Sequence, residues 1–123
     1  MIAAVASPAL EWVNTKMATN TPIGTVELFF SYLGDKRYDD AGQLYVEPRV
    51  GTVLQSSLPQ AGLLLEKAHT LAQDSEYAVV VIDVKAGSHK HEGAFYLKAM
   101  DSGWRILPAP EGTDKERLEK LLQ

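Results

Sequence analysis

The last third of the chain restricts its fold more than any other part. Three β patterns follow one another there, separated by turns too short to hold a helix. Residues 76–84 are rich in β-branched side chains, with Ala78, Val80, Ile82 and Val84 on one face and Asp83 and Lys85 on the other. Ala86-Gly87-Ser88 supplies a turn, and a second strand is expected over residues 89–100. Asp101-Ser102-Gly103 is a tight hairpin turn leading into Trp104-Arg105-Ile106-Leu107, which Pro108 and Pro110 end. Strands joined by such short turns can only pair antiparallel, because a parallel crossover needs a dozen or more residues.

The first half carries helix signals. Thr21 is placed to cap a helix with Pro22 at its first position, and Val26, Phe29, Phe30 and Leu33 recur at spacings of three and four. Gly34 follows, where a left-handed cap is expected, and Asp35-Lys36-Arg37 is a polar turn. A short second helix is expected to start with Asp39 as its cap and Asp40 in its first turn. Ala41, Leu44 and Tyr45 form its apolar edge, Tyr38 packs on it as a hydrophobic staple, and Pro48 stops it. Residues 49–65 are the least readable. Ser56-Ser57-Leu58-Pro59 looks like a helix start, and local propensity carries helix on to about Ala72. Residues 113–123 read as a charged helix with Asp114 near its start and Leu118, Leu121 and Leu122 on one edge.

The N-terminus is apolar and rich in small residues but lacks a positively charged n-region, so it makes a poor secretory signal. A leader remnant, added sequence and a short helix are the three readings. The helix is preferred, with Ser7 as cap, Pro8 next, and Leu10, Val13 and Met17 down one face beside Trp12. Helices followed by consecutive strands make an α+β domain, with helices packed on an antiparallel sheet. The expected organisation is a single domain over residues 1–123: an N-terminal helical extension (1–20), an α+β core (21–107) and a C-terminal helical tail (108–123).

The pattern Pro22-x-x-x-Val26-x-x-Phe29-Phe30-x-x-Leu33, followed by Asp35-Lys36-Arg37-Tyr38-Asp39-Asp40-Ala41-x-x-Leu44-Tyr45, resembles the opening of nuclear-transport-factor-2-like domains. The stretch from Gly93 to Ile106, with Phe95, Leu97, Gly103, Trp104 and Ile106, looks like their last hairpin. The resemblance implies a cone-like fold, in which a curved antiparallel sheet wraps a long helix around an open pocket. It also implies that Lys67-Ala68-His69-Thr70-Leu71-Ala72 is a strand paired across Gln73-Asp74-Ser75-Glu76, against the local helix propensity, and the strand is the reading preferred for residues 66–72. Ketosteroid isomerase, scytalone dehydratase and polyketide cyclases belong to this superfamily and use Asp, His or Tyr in the pocket for proton transfer. No complete catalytic set of that kind aligns onto this chain.

Composition removes several chemistries. The 123 residues include no cysteine, which excludes a disulfide framework, a Cys-ligated metal and a cysteine nucleophile. Sixteen acidic against twelve basic side chains argue against a nucleic-acid partner. No apolar run approaches the roughly 20 residues of a membrane helix. A soluble domain is expected, and the compartment, cytoplasmic or exported, stays open.

His89-Lys90-His91-Glu92 puts two imidazoles on one strand face, a two-ligand metal arrangement or a source of a general base. Zinc needs a third protein ligand, and His69 is the only other histidine. The plainer reading is a solvated hairpin end, so neither a metal nor a cofactor is expected. His69, His91 and Asp35 are the catalytic candidates, and Tyr32, Phe30, Phe95 and Trp104 the candidates for lining a ligand pocket. The expected function is a non-catalytic module that binds a small hydrophobic ligand in a conical pocket or another protein. A homodimer through the outer sheet face is part of that expectation, with the valine strand, Tyr96, Lys98 and Met100 contributing. The alternative is an isomerase-, dehydratase- or cyclase-like enzyme with a pocket His or Asp as general base.

Overall fold

The computed structural model describes residues 18–48 and 63–123. The expected helix near Ser7 and the helix start near Ser56 lie outside these residues. The chain is α+β. Helix α1 (Pro22–Gly34) and the short α2 (Tyr38–Gly42) precede strands β1 (Leu63–Gln73), β2 (Tyr77–Ala86), β3 (His89–Met100) and β4 (Gly103–Leu107), and helix α3 (Gly112–Leu121) follows. The four strands form one antiparallel sheet in the order β1-β2-β3-β4. Residues 66–72 are therefore strand. Cross-strand pairing with the valine-rich β2 outweighs the local helix propensity, which is a weak prior.

Helix α1 begins as its sequence requires. The Thr21 side chain accepts from the Gly24 N–H at 3.0 Å, and Pro22 occupies the first turn, where its missing N–H costs nothing. A side chain at Gly24 would collide with the Ala18 carbonyl oxygen. The helix end departs from expectation. Gly34 is still helical, Asp35 is the cap residue with φ −89°, and the left-handed position falls on Lys36 with φ 60°. The reason lies in hydrogen bonding: Asp35 N–H donates to Ser31 O, and the chain reverses only when Arg37 N–H donates to Tyr32 O at 2.8 Å. Helix α2 likewise starts at Tyr38 and not after Asp39. Asp39 and Asp40 both lie in its first turn, and Asp40 accepts from the Arg37 guanidinium at 2.7 Å.

Period-two alternation sends β2 to two different cores. Ala78, Val80 and Ile82 face α1, together with Leu97, Trp104 and Ile106 from β3 and β4. Tyr77 and Val79 face the other way, onto Leu118 of α3, with Leu107 beside them and Tyr96 and Leu121 half-buried at the margin. Burial on both faces is why β2 reads as a continuous apolar run instead of a clean alternation.

Between α1 and the sheet, aromatic rings fill the interior. Phe29 meets Phe30, Tyr45 and Phe95 edge to face, each at 5.7 Å between ring centres, and Phe30 meets Phe95 at 5.9 Å. Val26, Leu33, Leu44 and Leu97 close around them. The N-terminal end of α1 is tied to β4 by hydrogen bonds. Thr25 Oγ1 donates to the Trp104 carbonyl at 3.0 Å, and Trp104 N–H donates to the Thr19 carbonyl at 2.8 Å. Gly103, at φ 123°, lies so close to Thr19 that a side chain would clash there. Farther along β4, Ile106 N–H donates to Leu44 O and Val46 N–H donates to Ile106 O, so the chain after α2 covers part of that strand's edge.

Phe29→Ala removes the ring that three others contact. It is expected to lower the unfolding free energy by about 3–5 kcal/mol, measured by urea denaturation. A loss under about 1 kcal/mol would mean that the neighbouring rings are not packed on Phe29 as described.

Candidate functional site: a charged face of the sheet

The sheet face turned away from α1 divides into two regions. Near the β1–β2 turn it carries α3. Toward the β2–β3 turn it is charged and open. The loop Gly87-Ser88, with Gly87 at φ 62°, pairs Ala86 with His89 and thereby sets the register of the whole β2–β3 hairpin. Lys85 then lies opposite Lys90, Asp83 opposite Glu92, and Val81 opposite Ala94. Like charges face each other in two successive rows, an arrangement that disfavours the pairing. Asp83 has Lys67 across from it on β1. Glu92 has no cation directly across the hairpin.

Two neighbouring open depressions occupy this end of the sheet. One, of about 490 Å³, is lined by Glu66, Lys67, Asp83, Lys90, His91 and Glu92. The other, of about 410 Å³, shares Lys67, Asp83 and Glu92 and adds His69, Val81, Ile82 and Gly93.

The candidate catalytic residues do not converge. His69 is exposed on β1 opposite Val81, on the outer face, whereas His91 is exposed on β3 opposite Val84, whose neighbours face α1. His89 is exposed at the start of β3, and Asp35 is exposed at the end of α1. Among the described residues, no three His, Asp or Glu side chains are grouped to hold a metal ion. The four candidate pocket residues belong to the interior. Phe30, Tyr32 and Trp104 are buried, Phe95 is partly buried against Phe29 and Phe30, and the Arg37 guanidinium lies 4.7 Å over the Tyr32 ring. Tyr96 and Lys98 do lie on the outer face, but α3 meets them: Tyr96 borders the Leu118 cluster and Lys98 pairs with Asp114.

Sequence reasoning did not single out the polar cluster under α3. Asp114 accepts from the Tyr77 hydroxyl at 2.5 Å and from Lys98 Nζ at 3.2 Å. Those two bonds, the tyrosine's first, hold its carboxyl below the usual carboxylate range despite partial burial. The same bond pushes the Tyr77 hydroxyl up, and the bond to Asp114 raises Lys98. Arg117 reaches Glu76 at 3.2 Å and Asp74 at 3.9 Å, and its guanidinium lies 5.2 Å over the Tyr77 ring. Asp74 shapes the β1–β2 turn by accepting from the Glu76 and Tyr77 N–H groups, each at 2.8 Å, and these bonds lower its pKa. The sequence signal for the cluster is thin: an acid in the first turn of a helix and a lysine two residues after an aromatic. Only the fold brings them together.

This arrangement, helices on a four-stranded antiparallel sheet with a C-terminal helix on the far face, defines the chain structurally as an α+β domain. Comparison with known proteins finds no matching family model, no matching curated protein and no matching solved structure.

Asp74 and Asp114 are both depressed in the folded chain. They contribute stability above the ordinary carboxylate range, and that stability is lost as pH falls through their folded values. Unfolding free energy should therefore drop below about pH 4. An Asp74→Ala/Asp114→Ala double variant should begin less stable at neutral pH and lose less on acidification. Parallel pH profiles for the two chains would contradict these assignments.

Proposed function

We propose that the chain is a non-catalytic interaction module that pairs with a second copy of itself through the charged outer face of its sheet. The observation that carries this reading is the charge register of the β2–β3 hairpin. An acidic row, Asp83 and Glu92, lies next to a basic row, Lys85 and Lys90. Within one chain Lys67 faces Asp83 from β1, and otherwise only diagonal contacts relieve the like-charge pairs. A two-fold axis between the rows lays the acidic row of one copy over the basic row of the other, the self-complementarity that an isologous interface requires. Val81 and Ala94 form the adjoining row and supply apolar surface.

The rest of the structure supports a surface role over a pocket role. The aromatic quartet occupies the space where a ligand would sit between helix and sheet. His69, His91 and Asp35 are exposed and lie apart, without the enclosure that tunes a general base.

Light scattering on the eluting protein is expected to give a mass near two chains at high concentration, falling toward one on dilution. Glu92→Lys is expected to shift the population to single chains. Mixing that variant with a Lys90→Glu chain is expected to restore the paired mass. A mass of one chain at every concentration would overturn the proposal.

A further inference from the structure

We infer that α3 is a detachable clasp, which opens as a unit and uncovers an apolar strip of the outer sheet face while the rest of the domain stays folded. The strip consists of Tyr77, Val79, Tyr96 and Leu107. What holds α3 on it is slight. Of the helix's own side chains only Leu118 is fully buried, and Leu121 is half-buried. Leu122, just past the helix, is 45% exposed. The remaining attachment is polar: Asp114 to Tyr77 and Lys98, and Arg117 to Asp74 and Glu76. These side chains are all partly exposed, so the ion pairs weaken with salt and hold less firmly than buried packing.

The sheet does not depend on α3 in the same way. On its other face β2 is locked by Ala78, Val80 and Ile82 against α1, and β3 and β4 by Leu97, Trp104 and Ile106. Hydrogen bonds from Thr25, Trp104, Ile106 and Val46 tie β4 to the N-terminal half. The connection from β4 to α3, residues 108–111, holds two prolines and precedes Gly112 at φ 58°. Proline supplies no N–H to a ladder, so this segment adds few bonds that opening would break. An element with few buried apolar contacts and exposed polar ones belongs to the low-stability end of a domain.

The Val79–Tyr96 row adjoins the Val81–Ala94 row. Opening the clasp therefore extends the surface on which two copies are proposed to meet. That extension rests on the reading above, whereas the opening itself does not.

Amide hydrogen exchange of the full chain tests the clasp. At neutral pH the amides of residues 116–121 are expected to exchange at least tenfold faster than those of residues 78–82. Tyr77→Phe keeps the ring and removes one bond to Asp114. It is expected to speed the α3 amides by about a further tenfold, with the residue 78–82 amides changing less than twofold. Leu118→Ala, which leaves every polar contact in place, should act in the same direction. Exchange of α3 and β2 at one common rate, or equal acceleration of both by either variant, would overturn the clasp. Light scattering on Leu118→Ala separates the two ideas. A larger paired fraction supports the extended surface, and an unchanged mass alongside fast α3 exchange overturns the extension alone.

Discussion

The ring of Phe29 sets the distance between helix and sheet, because it meets the edges of Phe30, Tyr45 and Phe95 at once. Those four rings come from α1, from the segment after α2 and from β3, so the contacts of one ring join three separate parts of the chain. Edge-to-face packing has a directional preference beyond area burial, which makes the cluster a positioning device as well as an apolar one. Beside these rings, Leu97 and Ile106 are sealed from water. The outer face of the sheet carries the rows Asp83–Glu92 and Lys85–Lys90.

That outer face is organised by a second constraint, the two-residue loop at Gly87-Ser88. Side chains alternate along a strand, so a slip of one residue would move every β3 side chain to the wrong face. The loop fixes the pairing and in doing so places Asp83 beside Glu92 and Lys85 beside Lys90. A hairpin chosen only for its own stability would pair opposite signs there. The register of its apolar rows, Val80 with Phe95 and Ala78 with Leu97, outweighs that surface penalty. Interior packing thus dictates the charge rows.

Much of this was legible in the residues. Thr21-Pro22 and the Phe29/Phe30 spacing specify α1, and the turn residues bound β2, β3 and β4 closely. The alternation in residues 78–84 correctly divides the faces of β2. Residues 66–72 favour helix locally, and the strand preferred for them on the resemblance is the one observed, paired along β2. Two features were not legible. The left-handed residue after α1 is Lys36 and not Gly34, since the helix runs one residue farther than its sequence cap suggests. In the Asp114 cluster, Asp114 lies 37 positions from Tyr77 and 16 from Lys98, separations no local pattern spans. Side chains that seemed suited to a pocket, Phe30, Tyr32, Phe95 and Trp104, have the composition of a binding site and of a core alike. In the structure Phe30, Tyr32 and Trp104 are buried, and Phe95 meets Phe30 edge to face.

A closed interior is the claim on which the surface reading rests. Dissolved xenon enters dry apolar voids and shifts the resonances of the methyl groups around them. Titration with xenon, followed by methyl spectra of Val26, Leu44, Leu97 and Ile106, is expected to show only weak, non-saturating changes. Saturating shifts centred on these methyl groups would reveal a cavity beside Phe29 and contradict the account.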